Sequence, residues 1–230
     1  IGDTSFGTPA RITATVYAGA DGVIDVEREA ELGKAIHSKG VMLLTGYLGN
    51  KYAQHFSLTL SANIAIEQSY GYIDGDSASL AELCALISAI TSLPISQSIA
   101  LTGSINQHGD VQAIGGVNEK IEGFFKLCKM RGLTGEQGVI IPKSNQVNLV
   151  LDDEILNAVE LGKFNIFAVE TVDQALNLLM DIDAGDMIDE QYPEDSVNGI
   201  ALARLKDIAD IVNGDNSDDK DDSEDEKGEL

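Results

Sequence analysis

Two residues carry the chemistry open to this chain: Ser77, in Gly-Tyr-Ile-Asp-Gly-Asp-Ser-Ala-Ser (residues 71–79), and Lys120, in Ala-Ile-Gly-Gly-Val-Asn-Glu-Lys. A serine hydroxyl is a poor nucleophile until a base takes its proton. Histidine is the usual base, but His37, His55 and His108 have no acid in evident reach and read as surface or loop residues. A lysine can take that part if burial disfavours its ammonium form. Lys120 follows Ile-Gly-Gly-Val and precedes Ile121, Phe124 and Phe125, so its stem can enter apolar surroundings. The pair can then attack a carbonyl carbon, with a neutral amine as base. Each half also has a plainer reading: Asp76 or Ser77 as a helix cap, and Lys120 as an ordinary lysine of an amphipathic helix.

The elements around these residues must bring them together. Residues 57–67 alternate, with Leu58, Leu60, Ala62, Ile64 and Ile66 on one face, as a strand half-buried on a sheet does. Leu80, Leu83, Cys84, Ile87 and Ile90 then recur at helical spacing up to Pro94. Ser77 therefore lies at a strand-to-helix turn, where outward backbone N–H groups can hold an oxyanion. Ser79 and Glu82 have capping-box spacing. Further strands are expected over 10–17, 23–26, 98–103, 138–142 and 164–169. Further helices are expected from Val117 to Gly132, about Val147 to Leu161, and Thr171 to Met180. Val41 to Leu44 reads equally as a short strand or the core of a helix. Strands and helices in this order give an α/β domain with part of its sheet parallel. The packed domain is expected to span 1–183, with 184–213 a linker holding a possible helix and 214–230 a disordered acidic tail.

The net charge of −23 is uneven. Residues 181–195 hold seven acids and no base, and residues 214–230 hold nine acids and two lysines. So acidic a chain is repelled by phosphate backbones, and no nucleic-acid partner is expected. No run is long enough to span a bilayer, and no basic-then-apolar opening suggests a secretory signal. Cys84 and Cys128 fall in apolar helix patterns and read as buried free thiols of a reducing, cytoplasmic compartment. Residue 1 is Ile, which reads as a piece of a longer protein. No cofactor or metal is expected in this domain. Composition and periodicity on their own reach an α/β domain and no further.

Three stretches resemble the proteolytic domain of Lon proteases: Asp74-Gly-Asp-Ser-Ala-Ser79, Ala100-Leu-Thr-Gly-Ser104, and Gly109-Asp-Val-Gln-Ala-Ile-Gly-Gly-Val-Asn-Glu-Lys120. Val139-Ile-Ile-Pro142 and Val172-Asp-Gln-Ala-Leu176 continue the likeness over roughly residues 1–180. The Gly-Asp-Ser-Ala-Ser form is similar to the B-type, archaeal-like branch. Ile36-His-Ser-Lys-Gly40 and Glu67-Gln-Ser-Tyr-Gly71 look like a bacterial Lon-homologue subgroup.

The resemblance implies the Lon proteolytic fold, with mixed sheets and packed helices. It implies Ser77 as nucleophile and Lys120 as general base in a serine endopeptidase that cleaves unfolded proteins. Thr102 would orient the amine, and N–H groups from Asp76 to Ala78 would form the oxyanion hole. Asp74 and Asp76 would either hold the lysine in an inactive ion pair or serve as helix-dipole acids. Family members are hexameric rings fed by an upstream ATPase. This chain has no Gly-x-x-x-x-Gly-Lys-Ser/Thr loop, so ATP and Mg2+ would belong to that upstream region. The rival readings are a non-catalytic Lon-like scaffold and a stand-alone serine–lysine amidase.

Overall fold

The computed structural model describes residues 5–224, with side chains described as far as Gly214. The first half is built on a three-stranded sheet. β1 (Arg11–Tyr17) pairs antiparallel with β3 (Ser61–Glu67), and β2 (Gly22–Asp25) lies parallel on the other side of β3. The central position of β3 explains its alternation: Ala62 and Ile64 are buried while their neighbours turn the other way. The strand starts at Ser61 rather than residue 57 because its ladder partner β1 ends opposite, at Tyr17.

Between β2 and β3 lie a single turn, α1 (Val26–Glu29), and the long α2 (Ala35–Tyr52). The Val41–Leu44 run is thus helical, and it sends Val41 and Leu44 into the core. α3 (Ser79–Thr91) carries Leu80, Leu83, Cys84, Leu86, Ile87 and Ile90 inward. It stops at Ser92, whose φ of 59° turns the chain left-handed before Pro94. The expected capping box is absent. Ser79 is the first helical residue, and its hydroxyl donates to the Asp76 carbonyl while accepting from the Ile105 N–H. Glu82 is buried and faces His37.

The second half is a parallel sheet in the order β4 (Ile99–Leu101), β7 (Gly138–Pro142), β8 (Asn165–Val169), beside a two-residue hairpin of β5 (Ser104–Ile105) and β6 (Val111–Gln112). α4 (Val117–Arg131) packs on this sheet through Val117, Ile121 and Phe125, with Phe125 edge-on to Phe164 at 5.2 Å. The helix expected over 147–161 is split into a 3-10 turn (Lys143–Asn148) and α5 (Asp153–Glu160). The side chain of Asn118 bonds both the Asn148 carbonyl and the Val150 N–H, holding that stretch open with Val147 and Val150 outward.

Two expectations fail on burial. The packing does not end at residue 183. After α6 (Val172–Leu179) the chain returns in α7 (Val197–Glu224), whose Val197, Ala201, Leu205 and Ile208 join the main core with Ala184. Tyr52 donates to the Asn198 side chain at 2.7 Å, tying α2 to α7. The region read as linker is therefore part of the domain, and α7 extends into the stretch expected to be disordered; residues 225–230 lie outside the described residues. The second failure is His37, which is 1% exposed inside α2 rather than on a loop. His55 and His108 are exposed as expected, and both cysteines are buried and free.

Candidate active site

Ser77 is held by backbone on three sides. The segment before it is anchored to the loop ahead of α2: Ile73 N–H donates to the Leu32 carbonyl, and Lys34 N–H donates to the Ile73 carbonyl, each at 2.9 Å. Gly75 then turns with φ of 91°, a conformation that glycine adopts without a Cβ penalty. Behind the serine, its carbonyl accepts from Gly103 N–H at 2.9 Å and from the Thr102 hydroxyl at 3.2 Å. Leu80 N–H returns a bond to the Gly103 carbonyl, and Thr102 N–H reaches the Ile140 carbonyl of β7. The Ser77 turn and the strand end at 102–103 thus form one hydrogen-bonded unit.

Lys120 arrives from the first turn of α4, which Gly116 starts with φ of 71°. Its Nζ donates to Ser77 Oγ at 2.9 Å and to Thr102 Oγ1 at 3.0 Å. Burial lowers the amine's pKa below the ordinary 10.5, because desolvation penalises the ammonium form. Among the described residues, no carboxylate pairs with the amine to offset that penalty. Asp76 accepts from the Ser104 hydroxyl at 2.9 Å, and Asp74 pairs with Lys34 at 3.4 Å. Neither aspartate contacts Lys120, so the inactive ion pair weighed for them is not formed here. Among the described residues, the N–H groups of Asp76, Ser77 and Ala78 make no hydrogen bond, and they lie at the start of α3.

The sequence pattern that defines the Lon protease (S16) C-terminal proteolytic domain matches residues 60–181, more than half of the chain. The chain belongs to the Lon proteolytic-domain family. The match takes in Ser77, Thr102 and Lys120. Among relatives of this Lon-family chain, a protein named as a Lon protease homolog in Escherichia coli (strain K12) is 51% identical over 178 residues. That alignment covers 77% of the chain and 30% of the relative. A second homolog, from Haemophilus influenzae, is 48% identical over 209 residues, covering 89% and 34%. An archaeal Lon protease from Methanocaldococcus jannaschii is 39% identical over 120 residues, covering 52% and 16%. The chain spans about a third of the length of the two bacterial relatives. Among the described residues no helix is long and apolar enough to cross a membrane.

The Lon-family site also depends on a contact that sequence reasoning missed. A Cβ on Gly7 would lie 2.3 Å from the Glu119 carbonyl oxygen, and one on Gly123 would lie 2.1 Å from that of Gly7. The chain near its start therefore lies directly on the α4 turn that carries Lys120. The one available signal was Gly123 itself, since a glycine inside a helix costs stability unless packing requires it.

Proposed function

We propose that this chain is the peptidase part of a Lon-type protease, with Ser77 as nucleophile and Lys120 as general base. The observation that carries the reading is the 2.9 Å bond from a half-buried, carboxylate-free amine to Ser77 Oγ. A neutral Lys120 takes the Ser77 proton as Oγ attacks the scissile carbonyl carbon. The new oxyanion turns toward the unengaged N–H groups at the start of α3. The ammonium then gives its proton to the departing amine, leaving an acyl-serine. Water enters, loses its proton to Lys120, and attacks the acyl carbon, and the ammonium returns a proton to Ser77 Oγ as the acid leaves. Thr102 Oγ1 is a second acceptor for the amine and fixes its direction.

The substrates under this reading are unfolded polypeptides. The relatives' extra length is consistent with an ATPase region elsewhere in the whole protein, and ATP and Mg2+ belong to that region. A homo-hexameric ring and a cytoplasmic location complete the proposal.

The test is cleavage of casein and an unfolded fluorogenic peptide, alongside labelling by a serine-directed reagent. Ser77→Ala should abolish both, by about 10⁴- to 10⁶-fold for turnover, with the melting temperature unchanged. Labelling and cleavage that survive in that variant would remove the assignment. Absence of labelling in the wild type, in the full-length protein with ATP as well, would leave a scaffold.

A further inference from the structure

A buried group of ionisable side chains lies on the opposite side of α2 from solvent, and the dyad makes no use of it. Asp25 ends β2, Glu27 lies two residues on in α1, and His37 is in the first turn of α2. They are 4%, 5% and 1% exposed. One ligand-type atom from each lies within 4.8 Å of the others. Each carboxylate gives one oxygen to the backbone: Asp25 Oδ1 accepts from Glu27 N–H at 3.2 Å, and Glu27 Oε1 accepts from Ile66 N–H at 2.8 Å. The other oxygens, Asp25 Oδ2 and Glu27 Oε2, accept no hydrogen bond although both are buried. Orphaned carboxylate oxygens are costly in a protein interior and call for a partner.

We propose that Asp25, Glu27 and His37 bind one divalent first-row metal ion of the zinc class. Four observations meet on this assignment. The carboxylates are already oriented by backbone N–H groups, and each keeps one buried oxygen without a partner. His37 Nε2 stands 3.3 and 3.4 Å from the two Asp25 oxygens, straddling them instead of donating squarely to one. Donors about 2.0–2.2 Å from a tetrahedral ion are separated by roughly 3.3–3.5 Å, the spacing of the His37–Asp25 pair.

Charge points the same way. Asp25, Glu27 and the equally buried Glu82 surround a single imidazole. Among the described residues, no lysine or arginine forms an ion pair with any of the three. A doubly charged cation would neutralise Asp25 and Glu27, the two carboxylates that bind it. Glu82 Oε1 is 3.8 Å from His37 Nδ1, on the far side of the ring, where a carboxylate behind a metal-binding histidine belongs. The imidazole favours zinc, cobalt or iron over magnesium and calcium, which take oxygen donors alone.

The ion would tie β2 and α1 to α2, and through Glu82 to α3. Gly40, one turn along α2 from His37, backs directly onto Asp76 and Ser79. The site thus stiffens the wall behind the Ser77 turn without contacting Ser77.

The experiment uses the tag-free chain, stripped with EDTA and titrated with Zn2+, Co2+ and Mg2+ under calorimetry and metal analysis. The expected result is one Zn2+ per chain, a raised melting temperature, d–d absorption on Co2+ addition, and no uptake of Mg2+. Glu27→Gln keeps the acceptor for Ile66 N–H but loses a charged ligand, and should weaken Zn2+ binding by at least about 10- to 100-fold. Glu82→Gln should weaken it within that range. Should these variants fail to fold, the Co2+ spectrum of the wild type decides. A spectrum like that of the aqueous ion overturns the proposal, as does zinc uptake below one per chain. Uptake that Glu27→Gln leaves unchanged overturns it too, marking an adventitious ion only. Every readout is independent of peptidase activity, so the site and the proposed function stand or fall separately.

Discussion

Lys120 Nζ reaches Ser77 Oγ across 2.9 Å and 43 positions of sequence, and Thr102 is the amine's other partner. Among the described residues no carboxylate pairs with it, and burial lowers its pKa below the ordinary 10.5.

Lys120→Arg should therefore inactivate. A guanidinium supplies the same positive charge but stays protonated at any working pH. Peptide cleavage should fall by at least about 10²- to 10⁴-fold, the usual contribution of a general base. Turnover within a few-fold of wild type would rule out a lysine base.

The pH profile follows from the sign of the Lys120 shift. In the proposed mechanism the base is the neutral amine, so kcat/KM should rise from the acid side with unit slope and level off above an apparent pKa below 10.5. Stability moves in the same direction. Between the lowered folded value and the ordinary unfolded one, the unfolded chain binds the extra proton, so raising pH through that window stabilises the fold. A profile that breaks at or above 10.5 would contradict the buried-amine reading.

Thr102→Val keeps the shape of the side chain but removes the oxygen that accepts from Lys120 and donates to the Ser77 carbonyl. A hydrogen bond to a charged group contributes about 1.5–3 kcal/mol, so kcat should drop by about 10- to 100-fold with KM little changed. An unchanged kcat would show that the hydroxyl does not position the amine.

Gly123→Ala reverses the usual helix expectation. Alanine is favoured over glycine by about 1 kcal/mol in a helix interior. Here the added Cβ would meet the Gly7 backbone oxygen at 2.1 Å, and backbone cannot swing aside as a side chain can. The net result should be destabilisation of about 1–3 kcal/mol and a loss of activity through the displaced Lys120 turn. A rise in melting temperature would mean that the N-terminal stretch does not rest on α4.

Leu205→Ala tests where the domain ends. Leu205 is fully buried with the main core, so truncation should cost about 2–5 kcal/mol in urea or thermal unfolding. A linker residue would show almost no change.

The sequence by itself determined the local parts of this protein. Alternation around Ile64 and the apolar spacing from Leu80 to Ile90 were legible because period and burial coincide there, and both elements form, the strand from Ser61 rather than residue 57. The small and acidic residues around Ser77 and the glycines before Lys120 pointed to two turns capable of chemistry, since turn residues act through their own backbone. Tertiary structure alone decided which side chains meet. Nothing local brings Lys120 to Ser77 and Thr102; the parallel pairing of β4 with β7 and the packing of α4 do so. The same reason accounts for the misreadings. His37 lies on a helix whose sequence is polar at that point, and its burial depends on β2 and α3 closing over it. Residues 197–209 have a usable apolar face, but whether that face finds a core depends on α2 and α3, against which it packs. Contacts made over such distances in sequence leave no periodic trace, because each depends on the residues of another element.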